Sequence, residues 1–316
     1  MISSEENNKP RVLVLGHTGF LGKAVFQKLK NDKISCSGAS LSTGVDIREP
    51  NSLDKLIADH EINVIINCAA VVGGIEFGIT HPVSIYRDNT LMTLSILDSA
   101  SRFNTRLINP ISNCAYPRNA TIFTETEFWD GPLDESVLVY GSARKFGWIG
   151  AWAYAQEMHL DSVNLVFPNM YGPGDHLDPI RAHALGALVY RFLQARENNL
   201  PEVAVWGSGN PVREWMYIDD AVNAMYSALY VQPSVGIVNV GSGEGISIKD
   251  LALEIASQVG YLGKVVFDSK KLDGAPYKTM NGVKGKELLK WEPKMPLRDG
   301  IRKTIDWYAA QMRTTT

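Results

Sequence analysis

The sequence predicts an α/β fold, a doubly wound parallel sheet with a smaller C-terminal α/β domain. Three observations predict it. Short apolar runs alternate with helical stretches through the first half of the chain, as in a parallel sheet covered by helices on both faces. The first run leads directly into glycines spaced G-x-x-G-x-x-G and then an amphipathic stretch. After Pro168 the texture changes: the apolar runs shorten, and Gly, Pro, Asp and Asn gather.

In chain order, Arg11–Leu15 (RVLVL) is a continuous apolar run suited to a strand buried on both faces. The loop Gly16–Gly22 follows, then the amphipathic stretch Lys23–Lys30. Strands are expected at Ile34–Ala39, Val64–Cys68, Arg106–Pro110 and Ser162–Phe167. Helices are expected at Ser52–Asp59, Pro82–Phe103 and Tyr140–His159. The last carries Trp148, Trp152 and Tyr154 at helical spacing, a stripe expected in a core or a dimer interface. Asn169–Pro179 reads as a loop and Ala182–Glu197 as a helix. Beyond it, Val203–Trp206, Glu214–Ile218, Ile237–Val240 and Val265–Asp268 are strand-like. Asp219–Tyr230, Ile248–Val259 and Leu297–Met312 are helical.

The 316 residues carry a net charge of −3 and a pI near 6.1. With no basic excess to meet a phosphate backbone, no nucleic-acid partner is expected. No apolar run reaches the roughly 18–20 residues of a membrane span. The polar start Met1–Pro10 lacks the apolar core of a signal peptide. Cys36, Cys68 and Cys114 form neither a disulfide framework nor a zinc pattern. A cytoplasmic protein is expected.

Gly16-His17-Thr18-Gly19-Phe20-Leu21-Gly22 is the first chemical signal. Glycines permit a tight turn and close backbone approach to a pyrophosphate. The next helix then offers free N–H groups and its positive dipole end. Three glycines alone are weak; after a buried strand and before a helix they point to a dinucleotide. The type of dinucleotide stays open. An NAD-selective site places an acid at the end of the second strand, where this chain has Gly38-Ala39-Ser40. No arginine for a 2′-phosphate is evident nearby either. Asp46-Ile47 is a candidate adenine contact, although aspartate is also common in turns.

Ser112-Asn113-Cys114-Ala115-Tyr116-Pro117 follows the expected strand Arg106–Pro110, and ligands gather at the carboxyl ends of such strands. Tyr140 opens the next long helix. A serine hydroxyl and a tyrosine phenol together can exchange a proton with a carbonyl during hydride transfer. A nearby cation would lower the phenol pKa from its usual value of about 10.

These residues make the chain resemble the extended short-chain dehydrogenases/reductases, which have a Rossmann sheet. More narrowly it resembles the GDP-L-fucose synthase family, from about Arg11 to Tyr308. The most specific matches are Ala69-Ala70-Val71-Val72-Gly73-Gly74-Ile75, Asn169-Met170-Tyr171-Gly172-Pro173 and Trp206-Gly207-Ser208-Gly209-Asn210-Pro211-Val212-Arg213-Glu214. The resemblance implies an NADP(H)-dependent epimerase/reductase of a GDP-linked 4-keto-6-deoxy sugar, working as a homodimer. NAD(H) stays open as the cofactor. It implies that Ser112 and Tyr140 polarise and protonate the C4 carbonyl, and that Cys114 and His183 are base and acid of the epimerisation. Ala69, Pro168, Asn169 and His183 are implied to line the cofactor with Gly16, Thr18, Gly19, Phe20, Leu21 and Gly22. Asn169, Arg191, Trp206, Arg213 and Lys278 are implied on the substrate side.

Cysteine and histidine have pKa values near working pH, which suits proton exchange α to a ketone. Either residue could instead be a packing residue. The division expected is a dinucleotide domain at 11–168, a substrate domain at 169–213 and 247–313, and a segment near 214–246 returning to the first. The tails are 1–10 and 314–316.

The chain departs from the family pattern at three places. The family's Tyr-x-x-x-Lys reads Tyr140-Gly141-Ser142-Ala143-Arg144-Lys145. On a helix i+4 lies about 40° around from i and i+5 about 140°, so Arg144 replaces the lysine and Lys145 points elsewhere. Arginine keeps the charge but not the shape. Gly-Ser-Ser-Cys becomes Ile111-Ser112-Asn113-Cys114, and the family's loop arginine is Thr18. The alternative reading is a sugar-nucleotide epimerase or dehydratase that keeps NAD(H) bound.

Overall fold

The structure is a computed structural model that describes residues 9–178, 181–232 and 234–315. Residues 1–8 of the expected N-terminal tail, Pro179 of the expected loop and Thr316 lie outside them. The strands are β1 (Arg11–Leu15), β2 (Ser35–Ala39), β3 (Val64–Asn67), β4 (Arg106–Ser112), β5 (Ser162–Phe167), β6 (Asn169–Tyr171), β7 (Glu202–Trp206), β8 (Val212–Tyr217), β9 (Ser234–Asn239), β10 (Gly245–Ser247), β11 (Lys264–Asp268) and β12 (Tyr277–Lys278). The helices are α1 (Phe20–Asn31), α2 (Asp54–Asp59), α3 (Ile75–Thr80), α4 (Pro82–Arg102), α5 (Leu138–Met158), α6 (Ala184–Glu197), α7 (Ile218–Ser227), α8 (Ile248–Val259), α9 (Val283–Leu289) and α10 (Leu297–Thr315).

The central sheet has the order β2-β1-β3-β4-β5-β9, and every pair in it is parallel. This is the doubly wound α/β fold. Strand β1 shows why. Val12 and Val14 face one core with Val25 and Leu29 of α1. Leu13 and Leu15 face the other with Ile57 of α2 and Ile96 and Leu97 of α4. A strand alternates its side chains between faces, so an unbroken apolar run supplies both layers. Each such side chain contributes about 1.5–3 kcal/mol when fully buried. Strand β9 joins this sheet beside β5, as Ile237–Val240 was expected to.

The second half is built on smaller sheets. Strand β8 pairs with β6 and β12 in parallel and with β10 in antiparallel. Strands β7 and β11 form a parallel pair, and α6 packs on α8 and α10. Glu214–Tyr217 therefore does not return to the central sheet; of that segment's described residues β9 joins the sheet, and α7 packs on α1. The reason is β6: Asn169–Tyr171, inside the expected loop, leaves the end of β5 and pairs with Trp215–Tyr217. Strands of two or three residues, such as β6, β10 and β12, are too short to show a period in sequence. The helix starts at Phe20 rather than Lys23, because Gly19 is extended and serves as its cap. The expected C-terminal tail is helical at Thr314 and Thr315, which continue α10.

Candidate active site

The glycine loop is closed by backbone contacts that leave no room for side chains. Gly16 has φ +69°, and its N–H donates to Ala39 at 2.7 Å. A Cβ on Gly22 would stand 2.2 Å from the Gly16 carbonyl oxygen, and one on Gly16 would stand 2.9 Å from the Ala69 backbone. Helix α1, opened by Phe20 and Leu21, begins with no side-chain cap. Its first N–H groups are thus available to an anion, which fits a pyrophosphate. Ala69 is held from below: its N–H donates to Asn67, while Asn89 of α4 clamps both backbone groups of Val71.

The Thr18 side of the loop carries hydroxyls. Thr18 Oγ1 lies 2.9 Å from Ser42 Oγ, which is 3.0 Å from Ser40 Oγ. Among the described residues from Ala39 to Val45 there is no acid or base. Asp46 is paired with Arg48 at 2.6 Å, and Arg48 reaches Asp88 at 3.2 Å. The Arg48 guanidinium, hydrogen-bonded to Asp46, holds that carboxyl below its usual range. The Asp46 carboxylate is therefore directed at Arg48, while Ile47 packs in the core.

Strand β4 runs two residues past Pro110 and delivers Ser112 to its carboxyl end. Ser112 Oγ accepts the Cys114 N–H at 3.2 Å, which starts a tight turn. Helix α5 packs directly on that turn: a Cβ on Gly141 would lie 2.3 Å from the Cys114 carbonyl oxygen. Tyr140 is the neighbouring residue, with the Arg144 guanidinium 5.0 Å from its ring centroid. Arg144 Nε is buried with no partner in the protein. Lys145 points away, donating to the Phe128 carbonyl and lying over the Phe128 and Trp129 rings. Burial lowers the Lys145 pKa. Tyr116 is unlike Tyr140: it is buried, its hydroxyl donates to Asn239 at 2.7 Å, and burial pushes its pKa up. In the aromatic stripe, Trp148 packs on Phe128 and Trp129, Tyr154 bonds Asp98, and Trp152 is exposed.

Three implied site residues meet across the small sheet. Lys278 Nζ lies 3.7 Å from Cys114 Sγ, and Lys278 is the register partner of Arg213 in the β12–β8 pair. Burial lowers the Arg213 pKa, opposed by nearby Cys114, Asp134 and Asp273. Glu214 sits next to Arg213, fully buried. It accepts N–H groups of Ser242, Gly243 and Met280, at 2.6, 3.3 and 2.8 Å. Asn169, just after the buried Pro168, donates to the Glu214 carbonyl.

Arg191 and Trp206 form a separate group on the β7 side. They donate to the carbonyls of Ala204 and Leu272, at 2.9 and 2.7 Å. Asp273, which sequence reasoning missed, accepts Ser208 N–H and Oγ–H and offers its carbonyl to Arg213. His183 caps α6, 5.3 Å from the Phe20 ring of the cofactor loop. Its Nδ1 bonds Asp175 at 3.0 Å. Asp175 was also missed, because an aspartate in a Gly/Pro loop carries no periodic signal.

Residues 12–241 match the NAD dependent epimerase/dehydratase family. The chain is 32% identical over 301 residues to probable GDP-L-fucose synthase 1 of Oryza sativa subsp. japonica, covering 94% of this chain and 92% of that one. It is 30% identical over 312 residues to the GDP-L-fucose synthase of Escherichia coli (strain K12), covering 95% and 97%. A GDP-L-fucose synthetase structure from Naegleria fowleri superposes with a TM-score of 0.85 at 25% identity, over 97% of this chain and 95% of that one. A GDP-6-OMe-4-keto-L-xylo-heptose reductase from C. jejuni shares the fold, with a TM-score of 0.89 at 21% identity and coverage of 96% and 99%. The glycine loop, the Ser112–Cys114 turn and the Tyr140 helix all fall within the matched 12–241 span, and the chain belongs to the GDP-L-fucose synthase family, within the NAD dependent epimerases/dehydratases.

Proposed function

We propose that this chain is an NADP(H)-dependent epimerase/reductase of a GDP-linked 4-keto-6-deoxy sugar. The observation that carries the reading is the grouping of Cys114, Lys278 and Arg213 two residues beyond Ser112, on the turn that Gly141 packs against. A cysteine beside two cations suits removal of a proton α to a ketone, since cations stabilise the enolate that forms. Cys114 takes the proton from C3 or C5, and His183 delivers one to the opposite face. Ser112 and Tyr140 hydrogen-bond the C4 oxygen, and Tyr140 gives it a proton as it becomes a hydroxyl. Arg144 holds positive charge over the Tyr140 ring throughout. Gly16, Gly19 and Gly22, with the start of α1, hold the dinucleotide, which when bound supplies the hydride. Arg191, Trp206 and Arg213 with Asn169 and Lys278 take the GDP-sugar.

NADP(H) is favoured by a GDP-L-fucose synthetase of Naegleria fowleri with NADP bound, 25% identical and with a TM-score of 0.84. A second reading, an epimerase or dehydratase retaining NAD(H), is favoured by Thr18 and Arg144 in place of the family's arginine and lysine. Among the described residues no helix is long and apolar enough to cross a membrane. A homodimer fits the exposed Tyr86 and Leu94 on α4 and Ile149 and Trp152 on α5.

The test is incubation with GDP-4-keto-6-deoxymannose and NADPH in heavy water. Oxidation of NADPH with deuterium at C3 and C5 of the product is expected. Failure with both NADPH and NADH overturns the reading. Deuterium uptake without net reduction favours an epimerase. Cys114→Ser should lose deuterium uptake, and Tyr140→Phe should lose reduction while keeping uptake; equal loss of both activities in each variant would refute the division of roles.

A further inference from the structure

We infer that Asp175 is the positioning residue of His183, fixing which ring nitrogen is free to carry the proton delivered to the sugar. The inference rests on the epimerase/reductase reading above. The Asp175 side chain is 1% exposed, whereas that of His183 is 35% exposed. One end of the pair is thus sealed and the other open. The sealed carboxylate meets three groups of the protein. Oδ1 accepts the His176 N–H at 2.8 Å and lies 3.0 Å from His183 Nδ1, and Oδ2 accepts the His183 N–H at 3.0 Å. An ionised carboxylate only accepts, so Nδ1 must carry a hydrogen and Nε2 is left as the exchanging nitrogen.

The backbone bond adds what a ring bond alone lacks. The same carboxylate grips His183 at its main chain and at its ring, which sets both the start of α6 and the plane of the imidazole. The Phe20 ring lies 5.3 Å from the imidazole centroid, on the cofactor side. Space for the pair is built in. A Cβ on Gly186 would stand 2.8 Å from Asp175 Oδ2 and 2.4 Å from the Tyr308 hydroxyl. Tyr308 gives its own hydrogen to the His176 carbonyl at 2.8 Å, so it does not compete for the carboxylate.

The proton account is closed. Cys114 thiolate takes the proton from carbon, and the electron pair of that C–H bond moves into the enolate. The imidazolium of His183 gives its Nε2 proton to the opposite face, leaving the neutral ring with its hydrogen on Nδ1, toward Asp175. The next proton reaches Nε2 from solvent and the Cys114 thiol gives its proton up to solvent, which restores both groups. With the opposite tautomer the neutral ring would carry its hydrogen on Nε2, and Nδ1 would turn a lone pair toward a carboxylate. Asp175 excludes that state.

The test is Asp175→Asn, assayed in heavy water with the oxidised cofactor so that no reduction occurs. Asparagine turns an NH2 either toward the His183 N–H or toward the Nδ1 side, so it cannot hold the main chain and the ring of His183 together as the carboxylate does. Exchange at C3 and C5 through Cys114 should continue, because the enolate is reprotonated from the face it left. Inversions per exchange event should fall by about 100-fold or more, the contribution of a positioned acid. An unchanged ratio of inversion to exchange overturns the inference. So does a parallel loss of inversion, exchange and NADPH affinity, which marks a structural role alone. If the wild-type protein shows no exchange, it is the underlying reading that fails. Should the variant not fold, 15N spectra of histidine-labelled wild type, with His183→Gln for assignment, decide the point. A neutral ring protonated at Nδ1 is expected, and one protonated at Nε2 overturns the inference.

Discussion

Gly141 lies so close to Cys114 that a Cβ at 141 would stand 2.3 Å from the cysteine's carbonyl oxygen. The contact joins the helix that carries Tyr140 to the turn that carries Ser112 and Cys114. It needs a residue without a side chain because the obstacle is backbone and cannot rotate away.

Gly141→Ala should therefore push α5 from the turn. A displacement near 1 Å at reacting groups can cost about 100-fold in rate, while overpacking costs about 1–3 kcal/mol of stability. The expected result is a folded protein with both deuterium uptake and reduction severely reduced. Wild-type kinetics in this variant would show that the turn and helix are not coupled.

Arg144 and Lys145 compete for the role of the family's lysine, and their surroundings separate them. Arg144→Met should lower reduction by about 100-fold or more, since it removes the only cation stacked on the Tyr140 ring among the described residues. Lys145→Met should instead act on stability, because it leaves the Phe128 carbonyl without its donor. A buried group left unpaired costs about 1–3 kcal/mol. Steady-state kinetics and urea unfolding of the two variants should give opposite patterns.

Glu214→Gln tests the clamp behind Arg213. The carboxylate receives three backbone N–H groups and the Ser242 hydroxyl. A glutamine NH2 would leave at least one of these donors unpaired, at about 1–3 kcal/mol. The wild type should also show a pH signature. Burial raises the Glu214 pKa above its ordinary 4.5, so the folded protein holds this proton longer than the unfolded chain. That contribution to stability falls as pH rises through the window above 4.5, and levels off beyond the folded-state pKa. Unfolding free energies across this range should show the slope in wild type and lose it in the variant.

Trp152→Glu tests the proposed homodimer: a charge placed among the exposed apolar residues of α4 and α5 should leave a monomer in sedimentation. An unchanged sedimentation coefficient would rule out pairing through this face.

What was legible in the sequence is what the chain encodes locally. The displacement of Lys145 from Tyr140 follows from the helical period of 3.6 residues, and the unbroken apolar run of Arg11–Leu15 and the glycines that follow it are local features. The returning strand near Ile237–Val240 was legible for the same reason. Glu214–Tyr217 was misplaced because its apolar run could not name its partner, and that partner, Asn169–Tyr171, is too short to announce itself.

By itself, then, the sequence determined the parallel sheet and the glycine loop that follows its first strand, and it offered the candidate reacting residues. Tertiary structure alone decided their company. Lys278 reaches Cys114 across 164 residues, Asp175 takes His183 from within an irregular loop, and Arg48 takes the Asp46 carboxylate. The reason is physical: a period repeats along one chain segment, whereas a hydrogen bond between segments depends on where the folded sheets bring two side chains.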